Sequence, residues 1–143
     1  MLARWGSLEK MIILAEMKKW LLGAMLLIAG LVQAQTDIAA RVNEAIKNSD
    51  GVSLSKMMQA QVEISIGDFE GAISREEAQK KLVAFFANHK VSGYTPKHNG
   101  TSKIGDQFYI GDMKSGTQVF RVTVFVKKSQ DGAKVSQLRI EES

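Results

Sequence analysis

From Ile38 to Glu141 the apolar positions change period along the chain, and each change predicts an element. Ile38, Val42, Ala45 and Ile46 fall at i, i+4, i+7 and i+8 behind two capping types, Thr36 and Asp37, so residues 37–48 should form an amphipathic helix. Asp50-Gly51 ends it, and a short helical turn should follow, capped by Ser53, with Leu54, Met57 and Met58 turned inward. Residues 61–66 alternate strictly, Val62, Ile64 and Ile66 against Gln61, Glu63 and Ser65, which is a strand with one wet face. Gly67-Asp68 and Glu70-Gly71 read as the turn after it. Ser74-Arg75-Glu76-Glu77 is a capping box, because the Ser74 hydroxyl can accept from the Glu77 amide while the Glu77 carboxylate reaches back. It opens a helix running through Asn88 that buries Ala78, Leu82, Phe85 and Phe86, with His89 at the end where the helix dipole favours positive charge.

Beyond Val91 the period is two, interrupted by three turn signals: Asn99-Gly100, the stretch 111–116, and Asp131-Gly132. Four antiparallel strands follow from that. Phe120, Val122, Val124 and Val126 share one face of the longest, opposite Val119, Arg121, Thr123 and Phe125. In the last strand Leu138 and Ile140 share a parity that Val135 breaks, so a bulge near Ser136 and Gln137 should bend the sheet. Pro96 has no amide to donate and belongs at an edge or a bend. Helix, short helix, strand, helix and meander together predict an α+β domain, with helices packed on one face of a strongly curved antiparallel sheet.

The N-terminus is of another kind. Lys18 and Lys19 precede twelve uncharged residues, 20–31, and Val32-Gln33-Ala34 fits a small-x-small cleavage site. Residues 17–34 therefore read as a cleaved signal peptide, and 1–16 as an upstream, mis-called start. The uncharged run falls short of the roughly 20 residues that span a bilayer, so no stable membrane span is expected after cleavage. Residues 35–143 then form the one domain, exported to the periplasm or the cell exterior. Both Trp, Trp5 and Trp20, lie in the removed part.

Of 143 residues, 45% are apolar and 24% charged, with one Pro and no Cys. That profile fits one globular domain and excludes thiolate nucleophiles, Cys-ligated zinc and redox switching. Residues 35–143 carry 15 basic and 13 acidic side chains, so the chain's +4 overstates the charge of the exported part. The excess is uneven: 35–88 holds 6 basic and 8 acidic residues, 89–143 holds 9 and 5. We read this as a solvated sheet surface, with a face for an anionic partner as the alternative. Export and the lack of an aromatic-interleaved basic motif disfavour nucleic acid.

The order of elements, the helix ending in Phe85-Phe86, the stretch His98-Asn99-Gly100-Thr101-Ser102, and the strand ends Phe108-Tyr109-Ile110-Gly111, Phe120-Arg121-Val122 and Leu138-Arg139-Ile140-Glu141 carry a resemblance. Over nearly all of 38–141 the chain resembles a family of small exported bacterial proteins, a domain of unknown function with the nuclear transport factor 2-like, cystatin-like cone fold. The wider cone-fold group includes isomerases and dehydratases, which place an acid or His base and a Tyr donor in a dry cone, where desolvation tunes the base and the phenol stabilises an oxyanion. It also includes members that only bind or dimerise, and fold alone does not choose.

The candidates on the sheet half are Tyr94, His98, Tyr109, Asp106, Asp112 and Arg121. Tyr94, His98, Tyr109 and Arg121 are the ligand-binding candidates. On an unbroken strand Tyr94 and His98 would share a face, although Pro96 stands between them. The chemical reading makes His98 a base with Tyr94 or Tyr109 as oxyanion donor. The plainer one, which we prefer, has His98 bonded to local backbone before an Asn99-Gly100 turn. Arg121, amid an apolar strand, needs Glu141 or Asp106 as a partner, or water, or a ligand. No metal site or cofactor motif is present, and no elbow, Walker loop or zinc helix. The expectation is a non-catalytic module for a small apolar or anionic ligand or a protein partner, a homodimer through the sheet being one form. The alternative is a small isomerase- or dehydratase-type enzyme using His98 or an Asp with a Tyr. A cone filled by Phe108, Phe120 and Phe125 would leave no room for substrate.

Overall fold

The protein is described from a computed structural model, in which Ile12, residues 15–19 and residues 38–143 are described. The chain divides into two compact units, Met1–Thr36 and Asp37–Ser143. In the first, residues 15–19 are helical, and Lys19 Nζ lies 3.7 Å from Glu16 Oε1, both exposed. The apolar run 20–31 and the cleavage site after Ala34 lie outside the described residues. Among the described residues no helix is long and apolar enough to cross a membrane.

The second unit begins with helix α1, residues 38–47, which buries the expected Ile38, Val42, Ala45 and Ile46. Helix α2, Gly51–Lys56, follows without a strand between them. Its cap is Asp50 rather than Ser53: the Ser53 amide donates to Asp50 Oδ1 at 3.0 Å and the Ser53 hydroxyl to Oδ2 at 2.6 Å. Asp and Ser both cap well, and the first of them in the chain took the position. Gly51 sits against the later helix α3, Arg75–Asn88, where a Cβ would come within 2.9 Å of the Leu82 and Val83 backbone, so the two helices touch closely.

Strand β1, Met58–Ile66, is longer than expected and is followed by β2, Phe69–Ser74. Glu70-Gly71 is therefore not a turn. Gly67, at φ 58°, carries the reversal alone with Asp68, and Glu70 and Gly71 pair with Ser65 and Ile64. The alternation of Phe69, Gly71 and Ile73 is faint because Gly occupies its middle position. Lys81 Nζ stands 3.9 Å above the Phe69 ring and ties β2 to helix α3, Arg75–Asn88. Ser74 caps α3 as expected, accepting from the Glu77 amide at 3.2 Å.

Strands β3, Gly93–Thr101, β4, Gln107–Ser115, β5, Gln118–Ser129, and β6, Gly132–Glu142, complete one sheet in the order β2-β1-β6-β5-β4-β3. All pairs are antiparallel except β1 with β6, which is parallel. The bulge is where the parity of β6 puts it: Val126 pairs with Val135 and Phe125 with Gln137, leaving Ser136 as the extra residue. Asn99-Gly100, by contrast, lies inside β3, and the reversal to β4 falls at 102–106, where Gly105 has φ 90°. Gly111 is likewise inside β4, and only Gly116-Thr117 turns. The core on the helix face gathers α1, α2 and α3 with Met58, Val62, Ile64, Met113, Val122, Val124, Val126, Val135, Leu138 and Ile140.

Candidate functional site

Tyr94 is the second residue of β3, in register with Met113 on the helix face of the sheet. It is 8% exposed, and its ring crosses Gly111 on β4, where any Cβ would collide with the phenol. Burial above all, and then the charge of Asp112, push the phenol up to about 12, so at neutral pH it is a donor. Tyr109 shares the helix face, paired with Val124, and burial raises it too. Among the described residues the Tyr109 hydroxyl donates to Gln107 Oε1 at 3.0 Å, whereas the Tyr94 hydroxyl has no hydrogen-bond partner.

Both tyrosines line a hollow of about 200 Å³, closed on one side by Ala39 and Asn43 of α1 and on the other by Pro96, Lys97, His98 and Asn99 of β3. The register slips between Pro96 and His98, so Lys97 is a bulge residue beside the proline that cannot donate. That slip reverses the parity on which Tyr94 and His98 were expected to agree. His98 pairs with Ile110, on the face away from the helices, and is exposed at the rim. Asn99, one residue on, pairs with Tyr109 and returns to the helix face. Since Asn99-Gly100 is strand, His98 does not precede a turn there either.

Arg121 is not part of this hollow. It stands exposed on the outer face, in register between Asp112 and Glu141, and among the described residues no carboxylate lies within 4.0 Å of it. Glu141 is taken by Arg139 at 3.3 Å, and Asp112 faces Lys97 at 3.9 Å. The four candidates thus separate: Tyr94 and Tyr109 converge, His98 edges the same hollow from the far face, and Arg121 is elsewhere. Asn43 and Asn99 join the site without having been candidates, since neither type in a helix or beside a glycine signals a ligand.

The cone is not filled by its phenylalanines. Phe108 and Phe125 pack together on the outer face, centroids 6.3 Å apart, and only Phe120 stands on the helix face. Its middle is closed by Val122, Val124 and Leu138, all fully buried, which stand between the tyrosine hollow on β3 and β4 and a second one across the sheet, on β1, β5 and β6. This second hollow, about 550 Å³, opens between the end of α3 and the ends of β1 and β6. His89 caps α3 as expected, its amide donating to the Phe85 carbonyl at 2.8 Å, and its ring stacks on Phe85 at 4.7 Å. Among the described residues no cluster of three His, Cys, Asp or Glu could hold a metal ion.

The family model for DUF4783, a domain of unknown function, matches residues 39–141. A DUF4783 protein from Bacteroides ovatus, known as a crystal structure, is 30% identical, over 73% of this chain and 94% of that one, with TM-score 0.67. One from Bacteroides uniformis is 28% identical, over 73% and 95%, also at TM-score 0.67. A protein of the NTF2-like family from Streptomyces avermitilis, provisionally named a dehydratase, is 14% identical over 78% and 95%, with TM-score 0.57, a likeness of fold alone. Comparison with curated proteins returns no match. With six strands, three helices on one face and this register among the described residues, the chain belongs to the DUF4783 family and has the nuclear transport factor 2-like α+β cone fold.

Proposed function

We propose that residues 35–143 are an exported, non-catalytic binding domain that takes a small molecule in the tyrosine hollow. The observation that carries this reading is Tyr94: a largely buried phenol that lines the hollow, is held protonated, and has no hydrogen-bond partner for its hydroxyl among the described residues. A ligand acceptor that takes this hydrogen bond stands where water otherwise would. At about 200 Å³ the hollow suits a fragment-sized molecule with a carbonyl or carboxylate for Tyr94, flanked by the Asn43 and Asn99 amides.

An isomerase- or dehydratase-type enzyme would need a base beside Tyr94. His98 and Asp112 both stand on the other face of the sheet by register, which favours binding over catalysis here. The partner we assign to the outer face is a second copy of the chain. Phe108, Ile110 and Phe125 are half-buried there, and exposed Arg121 stands beside Asp112 and Glu141, a pattern of both signs that can meet itself across a two-fold axis.

Native mass spectrometry of the protein purified from its own envelope tests the reading. The expected spectrum shows the chain from Gln35 onward, as a dimer, carrying a small-molecule mass that Tyr94→Phe loses while keeping the ring over Gly111. Bare chains in both proteins, or a ligand retained by Tyr94→Phe, would overturn the binding site; a chain beginning before Gln35 would overturn the export reading.

A further inference from the structure

The second hollow differs in character from the first. Its floor is apolar: Ile66, Ile140 and Phe120 from the sheet, and the Phe85 ring with His89 stacked upon it. Phe120 meets Phe85 edge-on at 5.4 Å and His89 at 5.2 Å, so the three rings form one rigid corner. His89 Nδ1 lies 3.2 Å from the Phe85 carbonyl oxygen, which can only accept. Nδ1 therefore carries the proton, and in the neutral ring Nε2 is left as an acceptor.

The rim is mainly acidic. Asp68, Glu70, Glu141 and Glu142 line it beside Arg139, whose guanidinium is engaged with Glu141 at 3.3 Å, and one oxygen of Glu142 accepts from Gln118 Nε2 at 3.3 Å, leaving the other to a ligand. The rest of residues 35–143 carries a net positive charge, so this end is a local exception. Carboxylates over a rigid apolar floor concentrate a cation that can also shed water from its own apolar body. The volume, about 550 Å³, falls in the range of small-molecule sites and is too small for a folded partner.

We propose that this end of the cone is a second binding site, for an organic ammonium: an alkyl or aryl body on the Phe85–His89–Phe120 corner, with its nitrogen donating to Asp68 and Glu142. Nothing in this proposal depends on the tyrosine hollow being occupied.

Among the described residues the core lies within the Asp37–Ser143 unit, and the family model spans 39–141, so residues 35–143 are the protein to use. The probes are 4-phenylbutylammonium chloride and its neutral counterpart 4-phenylbutanol, titrated by calorimetry and by proton NMR at low salt. The ammonium is expected to bind at least about tenfold more tightly than the alcohol and to shift the Phe85 and His89 ring protons. Asp68→Asn with Glu142→Gln, both at exposed positions, should remove about tenfold in affinity while leaving the melting temperature in place. Equal binding of the two probes, no binding below about 10 mM, or shifts centred on Tyr94 and Tyr109 would each overturn the proposal.

Discussion

The ring of Tyr94 lies across the backbone of Gly111 on the neighbouring strand, so residue 111 has no side chain because residue 94 occupies its place. The two are one diagonal step apart on the helix face, Tyr94 opposite Met113 and Gly111 opposite Pro96. Gly111→Ala would push the phenol from its seat, and with Met113 and Phe120 closely packed nearby the ring has little space to retreat. The expected loss is about 1–3 kcal/mol in urea unfolding, the usual cost of overpacking. An unchanged midpoint would mean that Tyr94 moves freely.

Tyr94 and Tyr109 are the chain's two tyrosines, and both are raised from the ordinary 10.0, Tyr94 to about 12. The folded state therefore prefers the neutral phenols. Their contribution to stability is whole below pH 10, where an unfolded tyrosine is also protonated, and is lost as pH rises from about 10 towards 12. In an absorbance titration Tyr94 should stay almost wholly protonated in the native protein at pH 10.5, and unfolding at that pH should raise the tyrosinate signal to about three-quarters of its full value. Native titration at the free-tyrosine value would show that neither ring is shielded.

Ser136 is the extra residue that lets Val135 and Leu138 both face the helices although they are three apart. Removing it would restore perfect alternation while flattening the bend around which the helices pack. We expect deletion of Ser136 to cost more than about 2 kcal/mol, whereas Ser136→Ala, which loses only a 3.3 Å bond to the Phe125 carbonyl, should cost under about 1 kcal/mol. Similar unfolding midpoints for the two variants would mean that the bulge is incidental.

Much of this fold was legible in the order of the residues. The helix faces of α1 and α3, the Ser74 cap, the inward row of β5 and the bulge at Ser136 follow from periods of 3.6 and 2, which are local geometry. β2 was not legible, because Gly71 interrupts its alternation and its pairing with β1 is what holds it extended. Asn99-Gly100 was misread for a related reason: the dipeptide favours a turn, but its pairing with Tyr109 and Phe108 draws it into the strand.

The site divides in the same way. The pattern of residues by itself determined an α+β domain with helices on one face of a bent sheet, and put its few polar aromatic groups on the later strands, because composition and periodicity are properties of neighbours along the chain; the cone was what the family resemblance implied. Which of those groups meet was decided by the register between β3 and β4. One bulge residue, Lys97, sends His98 to the far face while Asn99 and Tyr109 remain with Tyr94, and the parallel pairing of β1 with β6 brings Ile66 beside Ile140 at the mouth of the second hollow. Such pairings join residues tens of positions apart, and no local pattern encodes them, since a slip of one residue reverses every side chain beyond it.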